Sequence, residues 1–386
     1  MPPASPVPPS PLGAGPSLAD VLPSVARSIG VPWPRPAGAV DLALPPARRA
    51  VVVLVDGLGY DLLVRRAGHA PWLRSMLPTS LRVASGFPST TATSVASFGT
   101  GLAAGAHGLV GYEALVPETG TMLNELSWED GPDPRLWQPN DTVFEVAQRS
   151  GVEVTRVGPA FFDGSGLTNA VARGGRFVAA ATLAERVDAT VAAARRTPRA
   201  LVHLYWEDVD KVGHVDGPDS WQWGDALETV DRELARLAAS LPDDCSLTVT
   251  ADHGMVEVPT ADRLDVASDP RLAAGTRFVS LEFRAPQVYA EPGAAADVLA
   301  TWTEVLGVRA DVLSREAAVE AGWFGPVRPE VLARIGDVVV AMRERYAVVD
   351  SRRASPRLLG LVGLHGSLSD AEVAVPVVHA PARAVA

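Results

Sequence analysis

The chain holds one cysteine, Cys245, and one lysine, Lys211, among its 386 residues. A lone cysteine excludes a disulfide within the chain and any zinc site built on several thiolates. It stands just before an apolar run and reads as a small buried hydrophobe. With a single lysine the positive charge is carried by arginine, a bias that accompanies the Ala, Gly, Pro and Val content. Long hydrophobic runs are also missing. None approaches the ~20 residues of a membrane span, and the first residues lack the basic-then-apolar pattern of a secretory signal. These absences predict a cytoplasmic protein with no membrane partner. Positive charge is in deficit, 34 Lys and Arg against 45 Asp and Glu, for a formal net charge of -11. That argues against a nucleic acid polymer as partner, because phosphate backbones recruit basic faces. It suits carboxylates that hold divalent cations. No internal repeat is present.

The length admits one large domain with an insertion, or two domains, and 47% apolar with 20% charged residues is the composition of a globular protein. Residues 1–45 are rich in Pro, Ala, Ser and Gly and are expected to be partly disordered, with a short helix running to Ile29. Ala50–Val55, Val152–Val157, Ala200–Trp206 and Ser246–Thr250 are apolar or β-branched runs that read as buried strands of a parallel sheet. Helices are expected at Asp141–Arg149, Thr182–Arg196 and Asp225–Ala239, the last with Leu227, Val230, Leu234 and Leu237 at helical spacing. Glu207–Asp219 reads as a loop. The fold class is therefore α/β, a doubly wound sheet with helices on both faces. Residues 46–256 and 351–386 form its core, and the strand-rich residues 257–350 form a smaller α+β insertion.

Gly86–Gly101 is uncharged and crowded with hydroxyls and small residues. A helix is expected from Thr91 to Phe98, its first turn beginning among Ser89, Thr90 and Thr91. Such a start can be no more than a well-made cap. It can also be an anion site, since its first N–H groups have no helical partner. Other segments supply partners for the second role. Strand ends carry Asp56, Asp252 and His253, and loops carry Asp210, His214 and His365. In open α/β sheets the carboxyl ends of the strands face the ligand crevice. Asp and neutral His together are a donor set for zinc and similar ions. Two such sets could clamp the attacking and leaving oxygens of a phosphoryl transfer. A metal beside Thr90 or Thr91 would activate a hydroxyl that is otherwise a poor nucleophile. His69 reads as a surface residue and His203 as a core histidine; His107 and His379 are not expected to be ligands. Trp206, Trp221 and Trp223 are expected to pack, with stacking on a substrate ring as the alternative.

Five segments in order carry a resemblance: VVVLVDGL from Val51, TATSVASFGTGL with HGLVG after it, DKVGHVDGP, ADHGM, and the late LHGS. The chain resembles the alkaline phosphatase superfamily and, within it, the type I phosphodiesterase/nucleotide pyrophosphatase branch. The resemblance implies an alkaline-phosphatase-like sheet. It implies one metal site of Asp210, His214 and His365 and another of Asp56, Asp252 and His253, with the nucleophilic hydroxyl bridging. In the family the nucleophile lies nine residues before the Thr of the T-G pair and sixteen before the His of the His-Gly pair. Thr100 and His107 both then select Thr91, with Thr90 the alternative. An Asn often follows the His-Gly turn in that branch and helps hold phosphate; here Tyr112 stands in its place, a phenol with one donor. The C/S-x-P-x-R motif of the sulfatase branch is absent.

The expected function is thus a metal-dependent phosphoester hydrolase, a phosphodiesterase or nucleotide pyrophosphatase acting through a phospho-threonine. Two divalent ions are implied, Zn2+ by donor type with Mn2+ the alternative. The substrate is a small phosphoester, with a nucleotide among the candidates, and a homodimer is compatible with the sequence. The rivals are a phosphomonoesterase or phosphonate hydrolase on the same site, and a non-catalytic metal- or nucleotide-binding protein of the same fold.

Overall fold

The computed structural model describes residues 13, 15–34 and 36–384. The first twelve residues of the Pro/Ala-rich segment lie outside the described residues. Arg49–Val55, Ala200–Trp206 and Cys245–Thr250 are buried almost throughout and lie side by side, all parallel, at the centre of a seven-stranded sheet. The full order is Leu81–Ala84, Ala374–Ala380, Cys245–Thr250, Arg49–Val55, Ala200–Trp206, Glu153–Gly158, Arg176–Ala179. Ala374–Ala380 is antiparallel to both its neighbours, so the α/β sheet is mixed rather than purely parallel. Helices Val21–Ser28, Leu183–Arg196 and Trp221–Ser240 bury apolar residues in the core around this sheet. The 20-residue helix Trp221–Ser240 is capped by Ser220, whose Oγ accepts from the Trp223 N–H at 3.1 Å.

One element differs in a way that matters for the site. Glu207–Asp219, expected as a loop, contains the helix Asp208–Asp216. Its buried face is only Val209 and Gly213, too narrow a stripe to show as a period. Its acidic first turn, Asp208 and Asp210, suits the positive end of a helix dipole.

The later part of the chain carries a four-stranded antiparallel sheet in the order Thr276–Val279, Gln287–Ala290, Val338–Met342, Ala310–Ser314. Helix Ala295–Leu306 shares with it an apolar cluster around Trp302. Trp323 and Phe324 then meet Phe87 edge-on, with ring centroids 4.9 and 5.5 Å away. This contact is four residues from Thr91. Among the described residues, no helix is long and apolar enough to cross a membrane.

Candidate active site

Thr90 has an extended backbone (φ -132°, ψ 150°) and caps the helix Thr91–Thr100, so Thr91 is its first residue. The small residues of this helix do pack closely: a Cβ on Gly99 would lie 2.0 Å from the Val171 carbonyl oxygen. Tight packing and an anion site are compatible here. The Thr90 hydroxyl makes no cap bond, which leaves the first N–H groups to a ligand.

The three central strands end together, and this brings the acidic and imidazole groups to one edge. Asp56 follows the Arg49–Val55 strand, Asp252 and His253 follow Cys245–Thr250, and the helix Asp208–Asp216 follows Ala200–Trp206. Asp210 and His214 are four apart on that helix and share one face, His214 Nε2 lying 3.4 Å from Asp210 Oδ2. Gly57 lets the two strand ends close up. Its φ is +72°, and a Cβ there would come within 2.9 Å of the Asp210 Cα. The six polar residues sort into two groups, Asp56–Asp252–His253, fully buried, and Asp210–His214–His365, half-buried. Within each group the donor atoms lie within 4.8 Å of one another. The His253 and His365 rings stack with centroids 3.6 Å apart, so the groups are contiguous. The Thr91 hydroxyl reaches His253 Nε2 at 3.2 Å.

The residues present fit metal ions. Each imidazole has its Nδ1 against a backbone carbonyl: His253 on Gly254 at 3.0 Å, His214 on Gly363 at 2.7 Å, His365 on Ser89 at 2.9 Å. A carbonyl only accepts, so Nδ1 holds the proton and the Nε2 lone pair faces the site, the arrangement a metal-binding histidine needs. Lone pairs then meet acceptors. His214 Nε2 and His365 Nε2 are 3.3 Å apart, and His253 Nε2 is 3.3 Å from Asp56 Oδ1 and 3.6 Å from Asp252 Oδ2. One buried oxygen on each of Asp56, Asp210 and Asp252 has no hydrogen-bond donor from the protein. Acceptors converging on acceptors call for cations. The electrostatics agree. Burial, then the charges of Asp252 and Asp210, push the Asp56 carboxyl well above its usual range. Burial, then His253 and His214, hold the His365 imidazole well below its own.

The other histidines join neither group. His107 is buried between the Leu109 N–H at 3.1 Å and the Ser97 hydroxyl at 3.1 Å. His203 is buried in its strand, His69 pairs with Glu228, and His379 faces Thr248. Trp206 and Trp223 are buried in the core, and Trp221 is 70% exposed; none of the three lines the cleft. Tyr112 does line it, half-buried.

Two contributors escape a reading of the sequence. Tyr205 donates its hydroxyl proton to Asp56 Oδ2 and so orients that carboxylate. The signal for it is register, since Tyr205 pairs with Leu54, two residues before Asp56. Glu282 is a buried carboxyl on the cleft wall, pushed up to about 8 by burial against the pull of the Thr90 hydroxyl and the Tyr112 N–H. Near neutral pH it keeps its proton and adds no negative charge beside the helix start.

A fully buried ion pair ties both groups together. Arg284 Nη2 meets Glu372 Oε2 at 2.7 Å, with both side chains 0% exposed. Glu372 Oε1 accepts the Ser367 N–H at 3.0 Å, and its carbonyl accepts the Gly254 N–H at 2.7 Å. Those residues flank His365 and His253. Removing one partner strands a buried charge, so Arg284→Met should destabilise the fold by about 3–5 kcal/mol. The midpoint of urea unfolding checks this.

The site opens into a cleft of about 1170 Å³ whose lining includes Thr91, His365, Phe161, Phe162 and Leu358.

A family model described as type I phosphodiesterase / nucleotide pyrophosphatase matches residues 50–368. An uncharacterized pyrophosphatase/phosphodiesterase of Schizosaccharomyces pombe is 28% identical over 236 residues, 55% of this chain and 45% of that protein. The chain spans less than half the length of the curated relatives it matches. Two solved structures share the fold. One is murine ectonucleotide pyrophosphatase/phosphodiesterase 5, as an inactive threonine-to-alanine variant in complex with AMP. It has a TM-score of 0.67 and 19% identity, covering 86% of this chain and 87% of that one. The other is phosphonoacetate hydrolase from Sinorhizobium meliloti 1021 in complex with phosphonoacetate, with a TM-score of 0.68 and 22% identity, covering 87% and 91%.

Proposed function

The chain belongs to the type I phosphodiesterase / nucleotide pyrophosphatase family, and from that premise we propose that it hydrolyses phosphodiester or phosphoanhydride bonds with Thr91 as nucleophile. Asp56, Asp252 and His253 would hold one divalent cation, and Asp210, His214 and His365 another. The observation that carries this reading is the Thr91 hydroxyl lying 3.2 Å from His253 Nε2, beside two groups whose acceptors face one another.

The cations, zinc by donor set with manganese the alternative, supply Lewis acidity that favours an ionised hydroxyl and offsets phosphoryl charge. The chain's own part runs as follows. The first N–H groups of the helix Thr91–Thr100 bind the phosphoryl oxygens and orient phosphorus toward Thr91 Oγ1. Thr91 Oγ1 bonds to phosphorus in line as the ester oxygen departs, and the proton lost by Thr91 ends on the leaving alcohol. Water then attacks the phospho-threonine, frees the phosphate product, and returns a proton to Thr91. Tyr205 keeps Asp56 oriented throughout.

The test is a metal analysis joined to a turnover screen. Two ions per chain are expected, with bis-p-nitrophenyl phosphate or a nucleoside pyrophosphate turned over faster than p-nitrophenyl phosphate. Faster monoester turnover would reverse the assignment of substrate class. Phosphonoacetate belongs in the screen because Tyr112 stands where this branch often has Asn. A metal-loaded chain inert on every compound would favour the non-catalytic rival. Tyr112→Phe deletes the phenol's single donor, and a loss of about tenfold in kcat/KM on the preferred ester is expected.

A further inference from the structure

Arg156 lies on the Glu153–Gly158 strand and lines the same cleft as Thr91. That strand is two places from Arg49–Val55 in the sheet, about 10 Å across at ordinary strand spacing. Arg156 Nε donates to the Gly174 carbonyl at 3.0 Å, and its guanidinium carbon stands 5.7 Å from the centroid of the Phe177 ring. Among the described residues no carboxylate pairs with it, and its two Nη groups have no hydrogen-bond partner. Asp163 is near enough for its field to be felt but forms no ion pair with it.

The other cations on this cleft are differently placed. Lys211 is held by Glu207 at 3.1 Å and Asp208 at 3.4 Å, and Arg353 by Glu113 at 3.1 Å. Arg357 is exposed, where water solvates it. Arg156 is half-buried and forms no ion pair, in a chain whose net charge is -11. A partly desolvated guanidinium with no ion-pair partner favours an anion from outside, and its planar fork suits a carboxylate or phosphate. Apolar surface lies beside it. Phe161 and Phe162 meet edge to face at 4.8 Å, and Phe161 is 69% exposed.

We propose that Arg156 is an anion subsite on the wall of the cleft, and that the substrate's ester group is an apolar or aromatic moiety bearing a second oxyanion, a carboxylate or a phosphate. This rests on the phosphoester reading above. The scissile phosphorus sits at Thr91, the ring or apolar body lies over the phenylalanines, and the second anion takes the free Nη groups.

The experiment compares three esters on the metal-loaded protein: bis-p-nitrophenyl phosphate, the analogue with a carboxylate on the second ring, and the analogue with a phosphonate there. The readout is the ratio of kcat/KM for a charged ester over the uncharged one. In the wild type this ratio should be about 10 or more for at least one charged ester, and the better of the two identifies the anion. In Arg156→Gln it should fall to about 1, and in Arg156→Lys to an intermediate value. A ratio near 1 in the wild type, or one that survives in Arg156→Gln, overturns the subsite while leaving the phosphoester reading intact. A wild type that hydrolyses none of the three overturns that reading and the subsite with it.

Discussion

Replacing Thr91 with alanine should lower turnover of the preferred ester by at least ~10^4-fold, the scale on which removal of a covalent nucleophile acts, while both metal ions stay bound. The two readouts separate chemistry from assembly. Thr91 is half-buried at the first position of its helix and supplies none of the six acidic or imidazole groups. Its loss should therefore leave the fold and the metal content in place. Thr90→Ala is the control. The Thr90 hydroxyl is buried but makes no cap bond, so its removal should cost less than about tenfold. Acid quenching during turnover should trap a phosphoryl group on the peptide that contains Thr91, visible by mass spectrometry. Full activity in Thr91→Ala would remove Thr91 from the mechanism, and loss in Thr90→Ala alone would move the nucleophile by one residue.

What the sequence reveals and what it hides follow from the range of each interaction. The strand Arg49–Val55 is legible because burial on both faces demands an unbroken β-branched run. Asp56 is legible because it directly follows that run. The helix Asp208–Asp216 is not, since only Val209 and Gly213 are buried while a further valine, Val215, faces solvent and blurs the apolar stripe. Ala374–Ala380 is obscured by Pro376, which a central strand excludes; it is accommodated because pairing with Cys245–Thr250 begins only at Val377, leaving Pro376 beside the edge strand Leu81–Ala84. The six polar residues could be collected one by one, but their division into two groups came from resemblance. Spacing cannot say that His365, far along the chain, joins Asp210 rather than Asp252. Tyr205 and Arg156 are invisible for the same reason. One acts through strand register onto Asp56, and the other matters because no acid pairs with it in three dimensions.

Chelation should abolish turnover and lower the melting temperature by several degrees, and added zinc or manganese should restore both. Without cations the site gathers three aspartates and three imidazole lone pairs with little to offset them. Whatever binds the folded chain and not the unfolded one stabilises it by mass action, about 4 kcal/mol for a site at a free-ion concentration of about 1,000 times Kd. The two groups should not release together. Asp56, Asp252 and His253 are fully buried, whereas Asp210, His214 and His365 are half-buried at the cleft floor. A chelator titration followed by metal analysis should therefore show two steps, the half-buried group emptying first. Most activity should vanish in that first step, because a two-ion displacement needs a cation on the leaving oxygen as well as beside the nucleophile. The larger fall in melting temperature should come with the second, since that ion neutralises carboxylates which water cannot reach. A single step with one ion per chain would overturn the two-ion reading, and activity that outlasts the first step would place the chemistry entirely at the buried group beside Thr91.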